Sequence, residues 1–426
     1  ASAQTITSSS SVTPSITWPD RVKWNNGITP TLFESDKGSA LQLFRFTTVD
    51  TGLNYNAWEE MENDPTFTSG PLFGWGRNQR GLNGQNDGPG NVAARSSPTQ
   101  IPGTWKHTDF EKAINSDGEL FTWGENNYGL ALNDRTSRSS PTQVGTDTTW
   151  QYTGKGGAVK TDGTMWQWGY NQTGNLGDNT TVNRSSPVQV GTDTTWTKEW
   201  SGGNQHRVAI KTDGTLWTWG DNSGAGPLGQ NQQGAPTSKS SPKQVGSGTD
   251  WSKVGKMFGG YGCAAIKTDG TLWMWGSGGQ GALGQNSQVT RSSPVQIPGT
   301  TWKAISVIGT FSGGMATKTD GTLWSWGYNS QGTLGQNTGG AGTDRSSPIQ
   351  VGTDTDWDEP LGALGGYGGG ITCRKTDNTL WTWGSNSYGE QGLNDRVARS
   401  SPTQLPGEWE QTAGGALNGT LGIKYP

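Results

Sequence analysis

The chain has 426 residues, with 31 basic and 35 acidic side chains, 69 Gly, 20 Pro and 23 Trp, but only two Cys and two His. Gly and Pro stay below the share that marks low-complexity disorder, and the tryptophans supply large groups to bury, so the chain is expected to fold. So few His and Cys leave almost no material for structural zinc, His-dependent triads or iron–sulfur ligation, and no run approaches the length of a membrane helix.

Residues 1–67 carry four basic against eight acidic side chains, and the remainder carries 27 of each. No basic domain is hidden in the total, so neither nucleic acid nor membrane insertion is expected. Residues 1–15 form a Ser/Thr-rich tail without a basic region followed by an apolar one, unlike a signal peptide. Residues 16–67 read as a small β-module: Asn26-Gly27 and Thr51-Gly52 mark turns, Leu41 to Thr47 alternates as a strand, and Trp24, Phe44, Phe46 and Trp58 are available for a core. The pattern Trp18-Pro19-x-x-Val22-Lys23-Trp24-x-x-Gly27-x-x-Pro30-x-Leu32, with that strand and Asp50-Thr51-Gly52 before Tyr55 and Trp58, is similar to short β segments of tailed-phage structural proteins. The resemblance implies attachment to a particle through Trp18, Val22, Trp24, Phe44, Phe46 and Trp58. The acidic stretch Glu59 to Asp64 reads as a hinge into residues 68–426.

From there a repeat governs the chain. A bulky residue, one spacer and Trp-Gly recur seven times, ending at Gly76, Gly124, Gly169, Gly220, Gly276, Gly327 and Gly384, which is 308 residues over six intervals, about 51 each. Ser-Ser-Pro keeps step, ending at Pro98, Pro141, Pro187, Pro242, Pro294, Pro348 and Pro402. Between the markers lies Asp-Gly (Asp117, Asp162, Asp213, Asp269, Asp320) or Asp377-Asn378, which predicts a two-residue type I′ hairpin turn. Each repeat is therefore predicted to be a four-stranded antiparallel meander, with Thr197–Gly202, His206–Thr212, Thr215–Gly220 and Pro242–Val245 as the example. Trp217 and Trp219, two apart, face one neighbouring blade while Thr218 faces the other. Seven such meanders predict an all-β, seven-bladed β-propeller preceded by the small β-module. The stretch Gly414 to Lys424 matches Gly259 to Lys267 and supplies the strand that blade one lacks, so the C-terminal strands are expected to close the ring.

The run Ile210-Lys211-Thr212-Asp213-Gly214-Thr215-Leu216-Trp217-Thr218-Trp219-Gly220, a Gly-x-Leu-Gly loop (Gly174-Asn175-Leu176-Gly177) and Ser-Ser-Pro-x-Gln-Val resemble the regulator of chromosome condensation repeat over residues 68–426. The resemblance implies a seven-bladed propeller closed from both chain ends. Family functions range over exchange factors, chromatin binders and modules of bacteria and phages. The family's guanine-nucleotide exchange factor uses a projecting wedge and a basic face, and neither a long insertion nor a positive charge surplus stands here.

Each Ser-Ser-Pro follows a basic residue: Arg95, Arg138, Arg184, Lys239, Arg291, Arg345 and Arg399. On a closed ring these form a basic crown, which binds an anionic glycan or phosphate on one reading and salt-bridges the repeated turn Asp or caps loop carbonyls on the other, stronger one. Lys160, Lys211, Lys267, Lys318, Lys375 and Lys424 form a second set, broken by Asn115, and read as strand-edge lysines that discourage edge pairing. The Asn/Asp loops Asn83 to Asn91, Asn133-Asp134 and Gly177-Asp178-Asn179 fit turns better than calcium sites. His107 and His206 fall at different phases of the repeat, and Cys263 and Cys373 read as buried thiols rather than a bridge. No catalytic constellation, metal site or cofactor motif stands out from the repetition.

The expectation is a non-enzyme: a virion component of a tailed phage, as a capsid decoration or fibre-like protein. Its N-terminal module meets other virion proteins, and its Gly/Asn/Gln-rich loops face a host glycan or protein. The alternative is a secreted or surface bacterial propeller that binds a protein or carbohydrate; a guanine-nucleotide exchange factor is the third reading.

Overall fold

The structure, a computed structural model, describes residues 69–425 apart from 80, 88–90, 110, 127–128, 204, 258–259, 310–312, 365–368 and 415–418. The expectations for residues 1–67, including Trp18, Val22, Trp24, Phe44, Phe46 and Trp58, lie outside the described residues. Among these, the regular structure is β except for two three-residue 3-10 turns, Ala235–Thr237 and Gly279–Gly281. No described helix is long and apolar enough to cross a membrane.

Repeats are numbered here by their Trp-Gly motif. Repeat four is a meander of Trp196–Gly202, His206–Lys211, Leu216–Gly220 and Lys239–Gln244, each antiparallel to the next. The fourth strand begins three residues earlier than the sequence suggests and takes in Ser-Ser-Pro. It lies at the outer edge of its sheet, where a proline's missing N–H breaks no ladder bond. Equivalent meanders recur, for example Trp150–Gly154, Gly157–Lys160, Met165–Gly169 and Arg184–Gln189, and they stand as the blades of a β-propeller.

The hairpin turn departs from the expected type I′. Gly214 alone takes positive φ (75°) in Thr212-Asp213-Gly214, Gly214 N–H donates to Lys211 O, and Lys211 N–H donates to Thr215 O. This is a three-residue loop with glycine at the left-handed position. The Asp213 carboxylate decides it by accepting from both the backbone N–H and the hydroxyl of Thr215 (3.0 and 2.6 Å). In repeat seven Asn378 (φ 64°) takes the glycine's place.

Trp-x-Trp buries its inner member completely. Trp219 packs with Val159, Met165 and Val190 of repeat three, while Trp217 is only partly buried and meets Trp196 of its own first strand edge to face at 6.4 Å. Both share a face, as the period of two requires, but only the inner ring carries the interblade contact.

Two hydrogen bonds join each repeat to the next. The inner indole N–H donates to a carbonyl of the preceding repeat's loop: Trp123 to Leu82, Trp168 to Gly129, Trp219 to Asn175, Trp275 to Pro227, Trp326 to Ala282, Trp383 to Thr333, and Trp75 to Glu390. In return a loop N–H reaches the first serine carbonyl of the next Ser-Ser-Pro, each at 2.7 or 2.8 Å: Asn86 to Ser139, Asn133 to Ser185, Asn179 to Ser240, Asn231 to Ser292, Asn286 to Ser346, Asn337 to Ser400, and Asn394 to Ser96. The approach is close: a Cβ on Gly174 would stand 2.4 Å from Ser240 Cα, so the loop needs glycine for space as well as for its φ of 80°. The last bond in each series spans the two ends of the chain.

Strand Gly419–Lys424 lies between strands Arg399–Gly414 and Gly70–Gln79, pairing Leu421 with Ala413 on one side and with Gly74 on the other. Strands Asn91–Asp109 and Arg399–Gly414 each run on from the outer strand of one repeat into the first strand of the next, because Ile101-Pro102-Gly103-Thr104 and Leu405-Pro406-Gly407-Glu408 replace the longer Val-Gly-Thr-Asp-Thr-Thr linker.

Candidate functional site

The basic crown is largely built into the loops. Arg95 pairs with Asp87, Arg138 with Asp134, Arg184 with Asp178 and Arg399 with Asp395, at 2.6–2.9 Å. The partner is a loop Asp, not the hairpin-turn Asp that the repeat pattern suggests; Asp162, Asp213, Asp269, Asp320 and Asp377 are each engaged by the Thr two residues on. Arg345 caps the Thr343 and Asp344 carbonyls (3.2 and 3.0 Å). Lys239 and the exposed Arg291 have no side-chain partner among the described residues and hold the equivalent strand positions opposite Gly220 and Gly276. Asp178 also accepts from Asn171 and Thr180, so its oxygens serve the loop rather than a metal; although burial opposes it, these bonds and Arg184 hold its carboxyl below the usual range. Among the described residues no group of three His, Cys, Asp or Glu side chains is gathered as for a metal ion.

Arg184→Ala leaves a nearly buried carboxylate unpaired and is expected to lower stability by about 1–2 kcal/mol, discounted because the arginine is partly exposed. Arg291→Ala should change it by less than about 0.5 kcal/mol. Urea unfolding of the two variants checks this, and equal losses would contradict the ion-pair reading.

The second lysine set lies on second strands, flanked on both sides within the sheet, so edge protection is not its role. Each ammonium instead stands over two rings. Lys211 Nζ is 4.8 Å from the Trp196 centroid and 4.0 Å from that of Trp217; Lys160, Lys267, Lys318 and Lys375 repeat this over their own tryptophan pairs, and Lys424 over Phe73 and Trp409. Asp147, Asp193, Asp250 and Asp354 of the longer linkers close four of these clamps from outside. The signal was the tryptophan opening each first strand (Trp105, Trp150, Trp196, Trp251, Trp302, Trp357 and Trp409), as regular as Trp-Gly.

Where the repeats differ from one another, ionisable groups gather on their first and second strands and the turns between them. Lys256 pairs with Glu359 (3.0 Å), Lys303 with Asp358 (2.7 Å), and Arg374 with Asp358 (2.7 Å) and Glu410 (3.5 Å). Burial opposes ionisation of Glu359, but Lys256, Arg374 and Lys253 outweigh it and bring the carboxyl to about 2. Burial, with the ammonium groups of Lys256, Lys198 and Lys106, lowers His107 to about 3; its Nδ1 accepts from the Thr153 N–H (3.2 Å), which fixes the neutral ring. A second group joins Asp109, Glu111, Lys112, Lys155 and Arg207: burial pushes Glu111 up to about 7 and Lys155 down to about 8. Arg207 Nε donates to Gln167 Oε1 (3.0 Å). The first group is ion-paired across elements, and Lys112, Arg207 and Arg374 are buried.

His206 opens a strand, fully buried, and its Nε2 lies 3.3 Å from Cys263 Sγ. Cys263 and Cys373 are both free, buried thiols, and burial raises both well above the ordinary thiol range. A wholly buried thiol with a suppressed thiolate is a core contact, not an open nucleophile.

Residues 162–210 and 269–317, each running from a hairpin-turn Asp into the second strand of the next blade, match the regulator of chromosome condensation (RCC1) repeat. Two stretches of the chain thus match the RCC1 repeat, and its meanders stand as the blades of a β-propeller. The ultraviolet-B receptor UVR8 of Arabidopsis thaliana is 26% identical over 304 residues, 68% of this chain and 66% of that protein. The E3 ubiquitin-protein ligase HERC2 of Homo sapiens is 28% identical over 196 residues, 45% of this chain and 4% of that one. The chain thus spans less than two thirds of either relative. Prp20p of Saccharomyces cerevisiae superposes with a TM-score of 0.66 at 15% identity, covering 84% of this chain and 92% of that one, which shows the shared RCC1 propeller fold. Within the repeats, the residues that recur serve the loops and interblade clasps, and the ionisable residues that vary lie on first and second strands and the turns between them.

Proposed function

We propose that the chain is a non-catalytic binding propeller of seven blades, closed by its C-terminal strand, and that it is displayed on a tailed-phage particle through residues 1–67. The observation that carries the binding role is the division of labour within the repeat. Recurring polar groups are engaged in holding loops and rings, so the loop bases are fixed to the next blade while their tips stay exposed, as Val182, Val289 and Val397 do beside Arg184, Arg291 and Arg399 (56–61% exposed). A rigid scaffold presenting loops that differ in sequence is the usual arrangement for recognition. Closure is supported by the Asn394 to Ser96 and Trp75 to Glu390 bonds. Protein binding is supported by Prp20p, whose structure is described together with its binding to Gsp1p and histones.

The particle assignment rests on the sequence of residues 16–58. Its test separates the parts: residues 1–67 fused to a carrier should bind purified particles lacking this protein, and the fusion with Trp24→Ala and Phe44→Ala should not. Absence of the protein from purified virions, or binding that ignores these substitutions, would give the role to a bacterial surface propeller instead.

A further inference from the structure

Six repeats place an ammonium over a ring pair made by the first-strand tryptophan and the bulky residue before Trp-Gly. Repeat two builds the same ring pair without its lysine. Trp105 and Phe121 meet edge to face at 5.3 Å and 82°, as Trp409 and Phe73 do at 5.9 Å and 70° in repeat one. There Lys424 Nζ stands 5.0 Å from Phe73 and 4.6 Å from Trp409. Strand register fixes the equivalence: Trp409 lies opposite Lys424, and Trp105 opposite Asn115.

Asn115 does not take the lysine's part. Its Oδ1 accepts from the Asp117 and Glu119 N–H groups and its Nδ2 donates to Glu119 Oε2 (2.7 Å), so the amide is committed to the hairpin turn. The ammonium of Lys106 lies beside Gly118 of that turn and is drawn to Asp117. No cation among the described residues stands over Trp105 or Phe121. The short Pro102-Gly103 linker also omits the Asp that closes the clamp in repeats three, four, five and seven. What results is an open groove of about 690 Å³, lined by Gln85, Gln100, Trp105, Asn115, Asp117 and Phe121 among others.

We propose that this groove is a docking site for a primary ammonium, a lysine side chain presented by a partner protein, seated where the other six repeats seat their own lysine. Ring faces attract a cation through their quadrupole, and Asp117 lines the groove, its charge shared with Lys106. The inference goes beyond the proposed function, since it assigns a ligand chemistry to one repeat and holds whether or not the chain is a particle component.

The test uses the full chain and n-butylammonium, the lysine side-chain analogue, in calorimetric titration and thermal melts. Saturable millimolar binding is expected, with a rise in melting temperature. Asn115→Lys should fill the seat, abolish that binding and raise the melting temperature of the unliganded chain; Phe121→Leu, which keeps an apolar group, should weaken binding about fivefold or more. The proposal is overturned if Asn115→Lys binds n-butylammonium as the parent does, if n-pentanol binds as tightly as the ammonium, if neither ligand nor substitution has any effect, or if glucose binds and n-butylammonium does not.

Discussion

Deleting residues 412–426 should remove most of the cooperative stability of the propeller. The deletion takes away strand Gly419–Lys424, whose Leu421 and Ile423 are 4% and 0% exposed, and truncation of a buried aliphatic side chain alone costs about 2–5 kcal/mol. It also strips the ladder partners from both strand Gly70–Gln79 and the remainder of strand Arg399–Gly414, leaving two strand edges unpaired. Against a total stability of about 5–15 kcal/mol for a folded domain, these losses are expected to leave a broad, low-temperature transition or none. Circular dichroism melts of the two lengths check this, and superimposable transitions would contradict the completion of repeat one by the C-terminus.

Trp275→Ala is expected to be the most damaging single substitution, at about 3–5 kcal/mol. Trp275 is fully buried at the centre of the largest core cluster, with Leu272, Leu283, Ile297 and Trp326, and its indole donates to Pro227 O (2.8 Å) of the preceding repeat. The change opens a cavity and leaves Pro227 O with only the weaker Cys263 Sγ donor (3.3 Å). Trp273→Ala two residues away removes a partly buried ring of the Lys267 clamp and should cost less than half as much. Denaturant unfolding of both variants tests this order, and equal losses would place the interblade contact on the wrong tryptophan.

The repeat, the meander and the strand order were legible because Trp-Gly, Ser-Ser-Pro and the hairpin Asp recur in phase, and alternation along a strand fixes which ring faces inward. The turn type was misread because Asp-Gly satisfies two hairpin geometries, and the choice between them lies in the Asp213 carboxylate gripping Thr215. The ion pairs of the basic crown were legible only in part, since sequence spacing cannot show that Asp178 folds back on Arg184 within one loop. The lysine clamps are not legible in the sequence because Lys211 and Trp196 come together only across the sheet, and the periodic first-strand tryptophan is the one sequence signal of them. The charges of Lys256, Glu359 and Arg374 follow no repeat, and only the fold brings them together.

The same pair of hydrogen bonds, repeated seven times, joins each repeat to the next, including across the chain ends. Amide hydrogen exchange on the loop asparagines tests it most directly. Asn394 N–H, bonded to Ser96 O at 2.7 Å across the seam, should be protected to the same degree as Asn179 and Asn231, whose bonds to Ser240 and Ser292 join consecutive repeats at 2.8 and 2.7 Å. Exchange of Asn394 at the rate of an open loop, with Asn179 and Asn231 protected, would contradict it.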